Sequence, residues 1–215
     1  MKINRSLRHH SLRSQDLLPF YDSVFAVAFT LLAYNLPDRI SDGRSDTLLD
    51  PLGWYLLTGT AVFLYWLKLR RLVLLDRVVQ LPQLALVGAG LLIVVLIPKL
   101  ASLVLSHGVG AGSLFHWTLP QIVNTTFLGL LLLFNLFCLL YALGLRRRRN
   151  HQGQNNPVLR RVVSSQWIGM AGVVVLMGLQ LLFPWFDNEY VFLMPLILVI
   201  EEAMVLRLLQ RGRQA

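Results

Sequence analysis

The chain has 215 residues, of which 55% are hydrophobic and 14% charged, and its formal net charge is +9. Too little polar surface remains for a soluble domain of this length. The basic balance, spread over interhelical segments, reads as membrane topology and headgroup contact rather than nucleic-acid binding.

Residues 1–16 form a basic stretch, with Lys2, Arg5, Arg8 and Arg13 against Asp16. The first apolar run follows, Leu17–Leu36, and Pro37 ends it. It is longer than a signal-peptide core and lacks a small-x-small site, so it reads as a retained span. Residues 37–51 are acidic in balance. The second run is Leu49–Leu67, extending as far as Leu75, and a basic segment over 68–82 follows it. The third run is Leu84–Leu105. "HGVGAG" at 107–112 echoes a potassium filter, but a span runs straight into it and no pore helix precedes it, so it reads as an outer loop. The fourth run is Leu119–Leu145. Six arginines and no acid lie between residues 146 and 162. Val162–Phe183 and Tyr190–Leu206 are the fifth and sixth runs, separated by Asp187 and Glu189. A span needs roughly 20 apolar residues.

The expected fold class is therefore all-α: a polytopic membrane protein with six transmembrane helices. Basic segments alternate with acidic or neutral ones, which places both termini in the cytoplasm. Three regions result: a basic N-terminus over 1–16, a membrane domain over 17–206 and a basic tail over 207–215.

Chemistry is sparse. No histidine has a partner at H-x-x-x-H spacing, and Cys138, the single cysteine, lies inside an apolar run. No metal site, cofactor or enzymatic reaction is expected. Ionisable residues in spans are functional candidates by default. Glu201 and Glu202 near the end of the sixth run read either as interfacial ion-pair partners or as acids at an inner mouth. Asp22 lies near the start of the first run.

At about 100° per residue, with Asp22 at zero, Ser23, Val27, Thr30 and Tyr34 fall between about 80° and 140°, and Leu31 borders them at about 180°. Asp22, Ala26, Phe29 and Ala33 lie within about 40° of zero. The first helix thus carries a stripe of small, hydroxyl and apolar residues, with the acid off it. Two packing surfaces are expected, both buried. Such a stripe serves either helix packing or a pore wall.

"FYDSVFAVAFTLL" resembles the first-helix signature of the transmembrane protein 175 family of potassium channels, approximately R-x-x-x-F-S-D-G-V-F-A-I-A-I-T-L-L. Phe20, Asp22, Val24, Phe25, Ala26, Ala28, Thr30, Leu31 and Leu32 match it. The six-span layout fits, Trp66 and Arg71 resemble a tryptophan–arginine pair at the end of helix 2, and Pro98 fits a proline near the end of helix 3. The resemblance implies a homotetramer in a prokaryotic cytoplasmic membrane, conducting K+ through a pore lined by the first helix. It places apolar constricting rings at Val27, Leu31 and Tyr34, with Thr30 and Ser23 as pore hydroxyls. Phe20, Asp22, Trp66, Arg70 and Arg71 fall to a structural network behind the pore.

The chain departs from the signature at several positions. Tyr21 stands for serine, Ser23 for glycine and Asp16 for the motif arginine; Leu69 and Arg70 stand where paired histidines are expected. The network is thus expected to be rebuilt, with Asp22 meeting Arg70 or Arg71. Tyr34 in place of leucine weakens the expectation of strong potassium selectivity and leaves a weakly selective monovalent cation channel as an alternative. The rivals are a secondary transporter, for which internal repeats and unpaired midplane charges are missing from the sequence, and a non-conducting accessory membrane protein.

Overall fold

The computed structural model describes residues 12–34, 46–76, 78–107, 119–153, 157–183, 193 and 196–203. The loop "HGVGAG" beyond His107, residues 187–189 and both chain ends lie outside them. Helices dominate: α1 (Ser14–Tyr34), α2 (Asp46–Leu75), α3 (Leu81–His107), α4 (Leu119–His151), α5 (Pro157–Leu182) and a short helical stretch α6 over 196–203. Two-residue strands, β1 (Leu12–Arg13) and β2 (Val78–Val79), pair antiparallel, with Leu12 opposite Val79 and Arg13 opposite Val78. The sequence carries no strand signal there. The pairing ties the start of α1 to the connection between α2 and α3.

Several helices outrun their apolar runs, because hydropathy marks where lipid is met and not where hydrogen bonding stops. α4 is 33 residues long and carries Arg146, Arg147, Arg148 and Arg149 within its last turns. Cations there meet the negative end of the helix dipole. α5 begins at Pro157, where the missing N–H costs nothing because first-turn donors have no intrahelical acceptor. α2 keeps its helix through Leu75, so Lys68, Arg70 and Arg71, expected in a basic segment after the span, are helical. Four described helices, α1, α3, α4 and α5, are long and apolar enough to cross a membrane.

The core lies between these helices. α3 packs along α4, α4 along α5, and α1 against both α2 and α3. Phe25 and Ala28 of α1, Val62, Tyr65 and Leu72 of α2, Val94 and Ile97 of α3, and Phe134 and Ala142 of α4 are all buried. The Tyr65 and Phe134 rings meet edge to face, 4.7 Å between centroids. Gly90 lets α3 approach α4: a Cβ there would sit 3.4 Å from the Phe134 ring. α5 uses Gly169 and Gly172 in the same way toward α6. A methyl at 172 would come within 2.6 Å of Ile197, and one at 169 would collide with the Glu201 carboxylate. Small residues at such spacing allow close helix packing where lipid offers no hydrophobic drive.

Candidate functional site

α1 divides cleanly into two faces. Tyr21, Phe25, Ala28 and Leu32 are buried. At about 100° per residue they centre near −90° on the scale with Asp22 at zero. The stripe of Ser23, Val27, Thr30 and Tyr34 centres near +110°, almost diametrically opposite. In the chain that stripe is open: Val27 is 52% and Tyr34 87% exposed, and Ser23 and Thr30 are exposed too. Leu31, at the border, is half-buried. Phe20 projects on the stripe's side and is also exposed. Burial on two faces was expected. Within the chain only one face is covered, because α2 and α3 both pack on the same side of α1.

The two stripe hydroxyls are bonded to their own helix. Ser23 Oγ donates to the Pro19 carbonyl at 2.8 Å, and Thr30 Oγ1 to that of Ala26 at 3.0 Å. Each hydroxyl hydrogen is therefore engaged, and what faces outward is oxygen lone pairs. Proline cannot donate to the helix ladder, and its ring crowds the preceding turn. Pro19, the sixth residue of α1, lies past the first turn, so the helix continues through it with the Gln15 carbonyl lacking its i+4 donor.

Asp22 anchors α1 to α2, though not through an arginine. Its Oδ1 accepts a 2.7 Å hydrogen bond from Trp66 Nε1. Arg70 lies one turn further along α2, its guanidinium 4.8 Å from the Trp66 ring centroid. Phe63 stacks on Trp66 one turn in the other direction, 5.5 Å between centroids. Arg71 points elsewhere and pairs with Glu202 at 2.5 Å. The expected contact of Asp22 with Arg70 or Arg71 is thus replaced by an indole–carboxylate bond with a cation over the indole. Residues 70 and 71 are about 100° apart on a helix, so they cannot both reach α1.

A second polar cluster was not anticipated. Lys68 is only 3% exposed and Glu201 1%. Lys68 Nζ lies 2.9 Å from Glu201 Oε1 and 3.0 Å from Oε2, and donates to Asn135 Oδ1 at 2.5 Å. Lysine is donor-only, which fixes the orientation of the Asn135 amide. Asn135 Nδ2 then donates to the Leu131 carbonyl at 2.8 Å and to Tyr65 Oη at 3.2 Å. The cluster joins α2, α4 and α6. Glu202 sits beside it and is closed by Arg71. Both glutamates are therefore ion-paired within the chain. A sequence signal for Lys68 existed: Val62, Tyr65, Leu69 and Leu72 continue the helical period straight across it.

A third set gathers where α2 ends. Asp76 accepts from Arg148 Nη2 at 2.9 Å and from Tyr141 Oη at 3.2 Å. Arg148 also donates to the Val78 carbonyl, and Arg149 to that of Leu75. These contacts cap the C-terminal end of α2, whose last carbonyls lack intrahelical donors. Among the described residues there is no group of histidines, cysteines and acids that could hold a metal ion.

Long apolar helices, a charged cluster sealed in the interior and a run of arginines flanking the α4–α5 connection define an integral membrane protein of all-helical fold. Its fold is similar to a crystal structure of a lysosomal potassium-selective channel TMEM175 homolog from Chamaesiphon minutus, with a TM-score of 0.69 over 87% of this chain and 96% of that one. At 15% sequence identity the likeness is one of fold. That neighbour is a channel and not an enzyme. No protein-family model and no curated protein matches the chain.

Proposed function

We propose that this chain is the subunit of a homotetrameric, potassium-conducting cation channel of the transmembrane protein 175 type, with α1 from each copy lining the pore. The observation that carries the reading is the open stripe on α1, diametrically opposite the face that packs into the subunit. A single helix cannot enclose a pore; four copies around an axis can. Six spans with both termini cytoplasmic fit the charge alternation, with 1–16, 17–206 and 207–215 as arm, channel domain and tail.

Val27, Leu31 and Tyr34 are the constricting positions, one helical turn apart. Apolar rings of this kind gate by dewetting. Thr30 and Ser23 present lone pairs with their hydrogens turned to the helix backbone, which favours a cation over an anion. Asp22, Trp66 and Arg70 form the bracket that holds α1 at the correct angle; Phe20, expected in that network, lies on the open side of α1 instead, and Arg71 closes on Glu202. Glu201 and Glu202, paired as they are, act as supports rather than as ion-attracting acids. The fold of the C. minutus channel supports the same reading. A second reading, a weakly selective monovalent cation channel, is favoured by Tyr34, which puts a phenol where an aliphatic ring would be tighter.

Purified protein in liposomes under a potassium gradient should pass current reversing near the potassium equilibrium potential. Reversal midway between the potassium and sodium values would move the assignment to the second reading. A verified tetramer that passes no current would overturn both.

A further inference from the structure

The six arginines between 146 and 161 are not equivalent. Arg148 and Arg149 are tied to Asp76 and to the carbonyls of Leu75 and Val78. Arg147 and Arg160 are exposed, and among the described residues neither has an ion pair. They lie on opposite sides of the α4–α5 connection, each within about one turn of it, so they sit at one depth.

What lies below each is ordered. On α5, with Arg160 at zero and about 100° per residue, Ser164, Trp167, Ile168, Ala171, Val174, Val175 and Leu182 fall between about −40° and +80°. These residues are exposed, Trp167 to 53%, while Val162, Gln166, Gly169, Val173, Leu176 and Gln180 opposite are buried. Read from the arginine inward, the stripe runs cation, hydroxyl, indole about 10 Å deeper, then aliphatic. On α4, exposed Leu133 and Leu140 lead to Arg147 at successive seven-residue steps. Phosphate, glycerol backbone and acyl chain follow one another in the same sequence in a phospholipid, and indoles favour the membrane–water interface.

We infer that the exposed face of the α4–α5 hairpin is a binding site for an anionic phospholipid, its phosphate held by Arg147 and Arg160 and its chains laid along the stripe below Trp167. The inference requires only that the chain sits in a membrane; it does not depend on conduction. Charge complementarity selects the lipid over a second copy of the chain, since a copy would set arginine against arginine on this pole. Trp167 is the reporter.

The full-length protein is reconstituted in phosphatidylcholine vesicles containing acyl-brominated phosphatidylglycerol or, at equal mole fraction, acyl-brominated phosphatidylcholine. The fluorescence difference between the parent chain and Trp167→Phe isolates Trp167. Each arginine near an anionic surface contributes roughly a fivefold preference. The anionic lipid should therefore quench Trp167 at several-fold lower mole fraction than the zwitterionic one. Raising the salt should shrink that preference in the unaltered protein. Arg147→Gln with Arg160→Gln should abolish it, and Arg160→Lys should retain most of it. Equal quenching by the two lipids, or a preference unmoved by salt and by the double substitution, would overturn the site. So would the absence of quenching by either lipid, which would mean that a neighbouring subunit covers the face.

Discussion

The Lys68 cluster and the α1 stripe are opposites in how their polar groups are used. In the cluster, a lysine, a glutamate, an asparagine and a tyrosine saturate one another across three helices, out of contact with solvent. On the stripe, two hydroxyls bond only to their own helix, and Val27 between them faces outward uncovered. A buried charge that finds its partners inside the chain holds helices in place. A surface left open on a helix of this hydrophobicity is where something else must sit. Conspicuous polarity in a span therefore marks architecture here, and the quieter face carries the proposed function.

The comparison breaks most visibly if one partner of the cluster is removed. Lys68→Met leaves Glu201 as an unpaired buried carboxylate, and stability should fall by about 3–5 kcal/mol. Thermal unfolding in detergent, followed by circular dichroism, should show it, or the protein should fail to accumulate. Replacing both charges, Lys68→Met with Glu201→Met, should recover more than half of the loss, because two apolar side chains need no partners. Recovery stays incomplete because Asn135 Oδ1 loses its donor. If the single and double variants unfold together, the pair is not what holds α2 to α6.

Gly169→Ala attacks the same cluster from α5. The new methyl meets the Glu201 carboxylate, which Lys68 prevents from swinging away. Overpacking of this kind costs about 1–3 kcal/mol. Gly53, with nothing near its hypothetical Cβ, supplies the control: Gly53→Ala should be neutral or mildly stabilising.

The two regions were also unequally legible. The α1 stripe came from periodicity, since positions at 80–140° stay together whatever the neighbours do, and its exposure in the chain follows from α2 and α3 sharing one side. Asp22 was legible as a bracket, but its partner was not. An arginine is the obvious mate for a carboxylate, yet Trp66 is the residue whose angle on α2 faces α1. The Lys68 cluster was hidden because the charge balance placed Lys68 in the basic segment over 68–82, although the second apolar run can be followed as far as Leu75. Glu201 is 133 positions away along the chain, and no local pattern links two residues so distant. Hydropathy likewise stopped α4 at Leu145, before the arginines that cap α2.

Trp66→Phe tests the bracket between the two regions. It keeps the ring beneath Arg70 and beside Phe63 and deletes only the donor to Asp22. Half-buried Asp22 can recruit water, so the stability loss should be about 1 kcal/mol, near that of one hydrogen bond. If α1 is aligned by this bond, single-channel conductance should become heterogeneous even where unfolding is nearly unchanged. Asp22→Asn, which still accepts from the indole, should stay closer to the parent in both measurements.

The smallest effect on stability and the most direct effect on function should coincide at Val27. It touches little within its own subunit, so Val27→Ala should shift unfolding of the isolated subunit by no more than about 0.5 kcal/mol. In a tetramer, four copies of the substitution would each withdraw two methyl groups from one ring. A wider, less apolar constriction wets more readily, so unitary conductance or basal leak should rise. Leu32→Ala, one step past the border residue Leu31 and on the buried face, reverses the pattern, with a loss of about 2–5 kcal/mol and, in whatever folds, an unaltered conductance. A stripe that only packed against neighbouring helices would make Val27 behave like Leu32. The sign of the difference between these two substitutions decides whether the open face of α1 is a wall for ions or a seam between helices.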